Sequence, residues 1–499
     1  MNTLYNIHNN PFAKYSAEEE LEALDEIFYE QQYYPALIEL SKQGVSRFIL
    51  GQRGQGKSAT IYHLLHDLRD NNILPILVTR YDDFPLEKNE NYFLYSMIQG
   101  ITFNIAKHLY RNTKDRKKLT PSQKNTLAFL IEAFYEPHCG EDFIEYSKEI
   151  KKKHRQNFFI KWWNRLGIKV ANGSIGVVTK VSAQLIQSWA GVSIDFTSFD
   201  TDYFGDIEIQ KINQLSKTDI TSLPTDKLIK ILNHLIQTTQ SIGYLSAVVL
   251  YDKVDEIKGI SSNVNSVADF ILDLVSDTDL LYTDKLSIVI SLWSEAKHAL
   301  NKNGVRFDKF KVIDIRWRPE ELVSLIDKRL YYYSIDKTKP ITLSSLVPNS
   351  TIREELIRIS DCSPRSLITL LSYIFNEESQ TSEIVSFSND AISKGVMSFC
   401  KNFDYMSLQP SRTGKGGDLV DWINRLLRMK LTSFSIKQYA DFVGSSKSSS
   451  TIRKHINTLL KYNLIKDSLY PSDNGDTVYQ VVDPRINYLI KRGEVDLGR

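Results

Sequence analysis

From residue 47 onward the chain alternates short apolar runs with longer stretches in which apolar residues recur every third or fourth position. The runs Arg47–Leu50, Leu74–Thr79, Ser246–Tyr251 and Leu286–Leu292 read as buried strands, since continuous apolar runs of this length suit a sheet covered on both faces. After the first run, Ile61, Leu64 and Leu65 fall on one face of a helix expected over Ser58–Asp67. Strands alternating with helices predict an α/β fold, a parallel sheet with helices on both faces. Ahead of it, Leu21, Leu24, Ile27 and Phe28 predict a helix over Ala17–Glu30 within an N-terminal arm of residues 1–46.

Residues 111–235 interrupt this alternation and predict a helical insertion in a core spanning 47–335. The insertion holds Lys151-Lys152-Lys153-His154-Arg155 and then Phe158-Phe159-Ile160-Lys161-Trp162-Trp163-Asn164-Arg165. Cations among aromatics can meet phosphates and stack on bases. A solvated basic face with its aromatics buried is the preferred reading. The run Val170 to Trp189, rich in Gly, Ser, Val and Ala, yields no assignment. Helical residues 336–400 follow the core as a lid, and 401–417, with Pro410, Gly414, Gly416 and Gly417, reads as a linker. Residues 418–499 predict helices at Leu419–Met429, Ile436–Phe442 and Thr451–Tyr462, then strands at Leu464–Leu469 and Thr477–Val482. Asn474-Gly475 marks the hairpin between those strands.

Composition adds bounds. A chain of 499 residues predicts about three domains, and 42% apolar with 24% charged residues is ordinary for a globular protein. The net charge of +2 does not by itself ask for nucleic acid. Cys139, Cys362 and Cys400 form no C-x-x-C, which disfavours a zinc knuckle or a disulfide framework and fits a reducing cytoplasm. No signal-peptide core and no apolar run near the ~18 residues of a membrane span is present, so a soluble chain with no membrane partner is expected.

The chemistry is concentrated after the first strand. Gly51-Gln52-Arg53-Gly54-Gln55-Gly56-Lys57-Ser58 is a complete G-x-x-x-x-G-K-S loop, followed by Ala59 in the helix. Glycines at Gly51 and Gly56 let successive N–H groups turn inward around phosphates. Lys57 supplies a point charge for the β- and γ-phosphates, Ser58 a hydroxyl for Mg²⁺, and the helix its positive end. ATP and Mg²⁺ are the expected cofactors. The third run ends in Asp252, Lys253, Val254, Asp255 and Glu256. Asp252 is the expected metal-facing carboxylate, and Glu256 the group that polarises the attacking water, with Asp255 as a second acid.

These motifs resemble the AAA+ and STAND superfamily of P-loop ATPases, most of all the archaeal and eukaryotic origin-recognition (initiator) group, over most of the chain outside 111–235. The resemblance implies a polar sensor on the next strand, Ser291 or Ser294 in Ile288-Val289-Ile290-Ser291-Leu292-Trp293-Ser294. It also implies a strand at Val312–Ile315 preceded by Arg306, an arginine finger for ATP on a neighbouring subunit. Arg365 in Ser363-Pro364-Arg365-Ser366-Leu367 becomes a second sensor of the phosphates. The C-terminal order resembles a winged helix-turn-helix, for which Lys447, Ser449, Arg453 and Lys454 are the expected DNA contacts. Residues 401–499 hold sixteen Lys and Arg against ten Asp and Glu, a mild surplus. Lys253 departs from the origin group, which places its catalytic Glu directly after the strand-end Asp. Two functions follow from the resemblance. One is an ATPase that assembles as a homo-oligomer and engages duplex DNA. The other is a STAND-like nucleotide-gated switch, as in bacterial antiphage defence, acting through a partner effector protein.

Overall fold

The computed structural model describes residues 3–4, 6–82, 84–87, 89–134, 192, 223–261, 263–378, 383–408, 417–468 and 475–498. It divides into two compact units, one of residues 1–31, 51–59 and 315–499, the other of 32–50 and 60–314.

The second unit is built on a parallel sheet. Its strands are β1 (Arg47–Leu50), β2 (Leu74–Val78), β3 (Ala247–Tyr251), β4 (Leu286–Leu292) and β5 (Lys311–Asp314), in the spatial order β2-β3-β4-β1-β5. Leu50 pairs with Leu292 and Tyr251 with Ile290, so β1, β3 and β4 end along one edge of the sheet. Every residue of β1, β3 and β4 is buried, as the unbroken apolar runs require. Pro75, which lacks a ladder donor, is accommodated because β2 is an edge strand. Helix α1 (Lys57–Asp70) follows the loop after β1, and α2 (Glu90–Arg111) packs on β2. A Cβ on Gly100 of α2 would stand 2.3 Å from Ile76 Cγ2, so helix and strand meet at a distance only glycine permits.

Helix α3 (Pro121–Phe134) lies within 111–235 and α4 (Thr225–Ser241) begins there; Leu127, Leu130 and Ile131 of α3 share one core with the sheet. Leu228, Ile231, Leu232 and Leu235 of α4, a stripe at helical spacing, join the same core. The basic–aromatic run, the Val170–Trp189 run and Cys139 lie outside the described residues. Helices α5 (Val264–Ser276) and α6 (Ala296–Lys302) pack together and complete this unit.

The first unit is mostly helical, with two small sheets. It contains α7 (Pro319–Tyr333), α8 (Ser350–Ile359), α9 (Pro364–Glu377) and α10 (Asn389–Asn402). Residues 1–31 belong to it, whereas the helix Tyr34–Lys42 belongs to the sheet unit, so the expected arm of residues 1–46 is divided. The helix expected over Ala17–Glu30 is also broken, into a 3-10 turn at Ala17–Glu19 and a short helix at Leu24–Ile27. Leu21 is 45% exposed, while Leu24, Ile27 and Phe28 are buried. The break falls where Glu20 turns inward to form a buried ion pair with Arg329 of α7. Arg329 also donates to the carbonyls of Pro11 and Lys14, so one guanidinium ties the N-terminal segment to α7.

The C-terminal part comprises α11 (Gly417–Met429), β6 (Ser433–Ser435), α12 (Ile436–Val443), α13 (Ser450–Lys461), β7 (Ile465–Asp467), β8 (Val478–Val481) and α14 (Pro484–Lys491). Its three strands form an antiparallel sheet in the order β6-β8-β7. Helix α12 begins in a capping box between Ser435 and Gln438 and ends at Gly444 in the left-handed conformation, φ 74°. Residues 409–416 of the expected linker and 469–474 of the expected hairpin loop lie outside the described residues.

Candidate nucleotide site and C-terminal surface

Strand β1 runs straight into residues 51–56, which lead into α1. Gly54 and Gly56 adopt φ of 79° and 91°, the left-handed region that a Cβ disfavours. Gly51 does not: a Cβ there would meet only ordinary contacts at 3.5 Å, so the special turns belong to Gly54 and Gly56. Lys57 Nζ folds back over the loop and donates to the carbonyls of Gly51 at 3.0 Å and Gln52 at 3.2 Å. Ser58 and Ala59 occupy the first turn of α1, half-buried. The lysine ammonium thus rests on carbonyls of its own loop.

Within the same unit, residues at the starts of two helices touch the loop. Trp317 Nε1 donates to the Gln55 carbonyl at 2.9 Å. The backbone N–H of Arg365 and the Ser363 hydroxyl donate to the Gly54 carbonyl at 3.3 Å and 3.4 Å. A Cβ on Gly54 would come within 2.8 Å of Ser363 Oγ, so glycine is needed for proximity as well as for φ. Arg365 therefore reaches the loop through its amide, while its side chain is exposed. Trp317 stands two residues ahead of α7 in the chain. Its contact with Gln55 joins residues 262 positions apart, and no local pattern announces it.

The acidic group lies in the sheet unit. Asp252 follows β3 and is 1% exposed. Ser291 of β4 donates a short hydrogen bond to its Oδ1, and the Tyr81 hydroxyl donates to its backbone carbonyl at 2.8 Å. Burial, and then the negative charges of Asp252 and its neighbours, raise the Tyr81 hydroxyl far above its ordinary range and keep it a donor. Asp252 Oδ2 is buried with no hydrogen-bond partner among the described residues. A buried carboxylate oxygen left in that state is costly, and a cation resolves the cost. Lys253, at φ 62°, turns the chain into the 3-10 turn Val254–Glu256, in which Asp255 is buried and Glu256 exposed. Ser291 is thereby committed to Asp252, and Ser294 stands half-buried just past the end of β4.

Arg306 lies on the segment between α6 and β5, its side chain 64% exposed and paired with Asp308 at 2.6 Å. On the C-terminal surface Arg453 and Lys454 of α13 are exposed. The Ser449 hydroxyl caps α13 by accepting from the Thr451 N–H at 3.2 Å, and Lys447 pairs with Asp476 at 2.6 Å. Of the four expected DNA contacts, Ser449 caps the helix, Lys447 is an exposed side chain paired with Asp476, and Arg453 and Lys454 are exposed on α13. No described helix is long and apolar enough to cross a membrane.

No protein-family model and no curated protein matches the chain. Among solved structures it is similar to the Aeropyrum pernix ORC2 protein in its ADPNP–ADP complexes, at 11% identity and a TM-score of 0.39, covering 97% of each chain. It is similar to the Aeropyrum pernix ORC1 protein in complex with DNA at 11% identity and a TM-score of 0.32, covering 97% of this chain and 94% of that one. A third similar structure is Cdc6p of Pyrobaculum aerophilum, at 10% identity and a TM-score of 0.30, covering 97% of this chain and 99% of that one.

Proposed function

We propose that this chain is an AAA+-type P-loop ATPase that hydrolyses ATP with Mg²⁺ and engages duplex DNA through a winged helix-turn-helix at its C-terminus. The observation that carries the ATPase reading is Asp252. A buried carboxylate, held by Ser291 and with one oxygen unpartnered, closes β3 on the sheet edge at which β1 also ends, and the lysine loop follows β1 in the chain. A Mg²⁺ there would take phosphate oxygens and water as its further ligands. Asp252 and Ser58 would hold that ion, which supplies charge neutralisation at the phosphates.

The chain's own groups do the rest. The loop amides bind the phosphates, and Lys57 exchanges two neutral carbonyls for phosphate oxygens. Glu256, exposed at the turn after Asp252, accepts a proton from the water that attacks the γ-phosphorus, with Asp255, buried beside it, as a second acid. Ser294 and Arg365 read the phosphates, and Arg306 acts on ATP held by a second copy. DNA contact falls to Arg453 and Lys454, projecting next to a capped helix start.

Steady-state ATP hydrolysis with and without duplex DNA, using Lys57→Ala as the blank, tests this. Stimulation by DNA is expected. Slow, DNA-indifferent turnover with retained nucleotide would reject the DNA-coupled motor in favour of a nucleotide-gated switch.

A further inference from the structure

The phosphate loop is held by its carbonyls. Gln55 O accepts the Trp317 indole N–H, and Gly54 O accepts from Arg365 N and Ser363 Oγ. A trans peptide points its C=O and N–H in opposite directions. Tying Gln55 O to Trp317 therefore turns the Gly56 N–H to the other side of the loop. The Gly54–Gln55 peptide behaves the same way, its N–H directed across the loop to Gln52 O at 3.4 Å.

Trp317 is itself fixed. The carbonyl of its neighbour Arg316 accepts from Gln31 Nε2 at 2.9 Å, and the Tyr29 ring lies 5.9 Å from the indole. Trp317 Cζ2 would sit 3.9 Å from a Cβ on Gly56, so the ring flanks the same peptide that its N–H orients. We propose that Trp317 is a positioning residue of the nucleotide site, which presets the Gly56 amide toward the phosphates by holding the carbonyl of the same peptide. This rests on the reading of the loop as an ATP site.

An indole donor held before the nucleotide arrives removes part of the ordering cost of binding. Its loss weakens binding and leaves the chemical step nearly alone, because the amide serves ground state and transition state alike. The test uses the full chain with ATP, ADP and Mg²⁺. Trp317→Phe keeps the ring and deletes the donor. The dissociation constant for ATP should rise about five- to tenfold, KM should rise with it, and kcat should stay within about twofold. In the wild type, saturation with ATP should shift tryptophan emission. That shift should persist in Trp422→Phe, whose indole lies in the C-terminal part, and vanish in Trp317→Phe. Wild-type ATP affinity in Trp317→Phe, or an emission shift that survives in it, overturns the proposal. A wild-type chain that binds no better than Lys57→Ala rejects the ATP reading itself, a result recognisable without the tryptophan variants.

Discussion

At the scale of single residues the sharpest contrast is among Asp252, Asp255 and Glu256, three carboxylates within five positions that the fold treats differently. Asp252 is fixed by Ser291 and keeps one oxygen unpartnered, Asp255 is 5% exposed, and Glu256 faces outward. A group that takes a proton from water must reach water, so Glu256→Gln should slow single-turnover hydrolysis by about 10²–10⁴-fold while ATP stays bound. Normal turnover in that variant would move the role to Asp255. Asp252→Asn keeps the shape and removes the charge, and should raise the Mg²⁺ concentration giving half-maximal turnover. An unchanged Mg²⁺ requirement would mean that Oδ2 serves no cation. The lysine loop and the acidic strand end were legible because each couples a fixed spacing to a strand. The burial of Asp255 was not, since it depends on the left-handed turn at Lys253, a residue with no preference for that conformation.

At the scale of elements, strands β1, β3 and β4 were readable as apolar runs because both faces of each are covered. Strand β6 was not, because Ser433-Phe434-Ser435 has no run of its own and becomes a strand only by pairing with β8. The N-terminal helix failed for a related reason. Its period was right at Leu24 and Ile27, but Glu20 is drawn into the pair with Arg329. Both side chains of that pair are almost fully buried, and removing one partner leaves the other charge uncompensated. Glu20→Gln should therefore cost about 3–5 kcal/mol of stability, read as a lower urea midpoint; a shift within error would show that water replaces the lost partner. On α13, Arg453→Ala with Lys454→Ala should weaken DNA binding. It should also flatten the slope of log affinity against log salt by about one for each phosphate that is no longer neutralised. Basal hydrolysis should not change. An unaltered slope would remove this helix as the DNA-binding element.

At the scale of the whole molecule, the remaining question is whether one chain completes its own site. Arg306 is paired with Asp308, two residues along, and both side chains are largely exposed. Such a surface pair is weak, so the guanidinium can leave it for a phosphate at little cost. If Arg306 serves ATP on a second copy, Lys57→Ala and Arg306→Ala disable different halves of one composite site. Each variant alone should be nearly inactive: the first fails to hold ATP, and the second holds it without the arginine. Mixed together, they should regain activity, because an Arg306→Ala subunit with its intact loop can receive the arginine of a Lys57→Ala neighbour. The regained rate should rise with total protein concentration, as assembly demands. ATP affinity of Arg306→Ala at high dilution should match the wild type, since the isolated subunit never used that arginine. Activity that does not return on mixing, with both variants folded and Arg306→Ala binding ATP normally, would confine catalysis to the single chain and leave Arg306 a surface partner of Asp308.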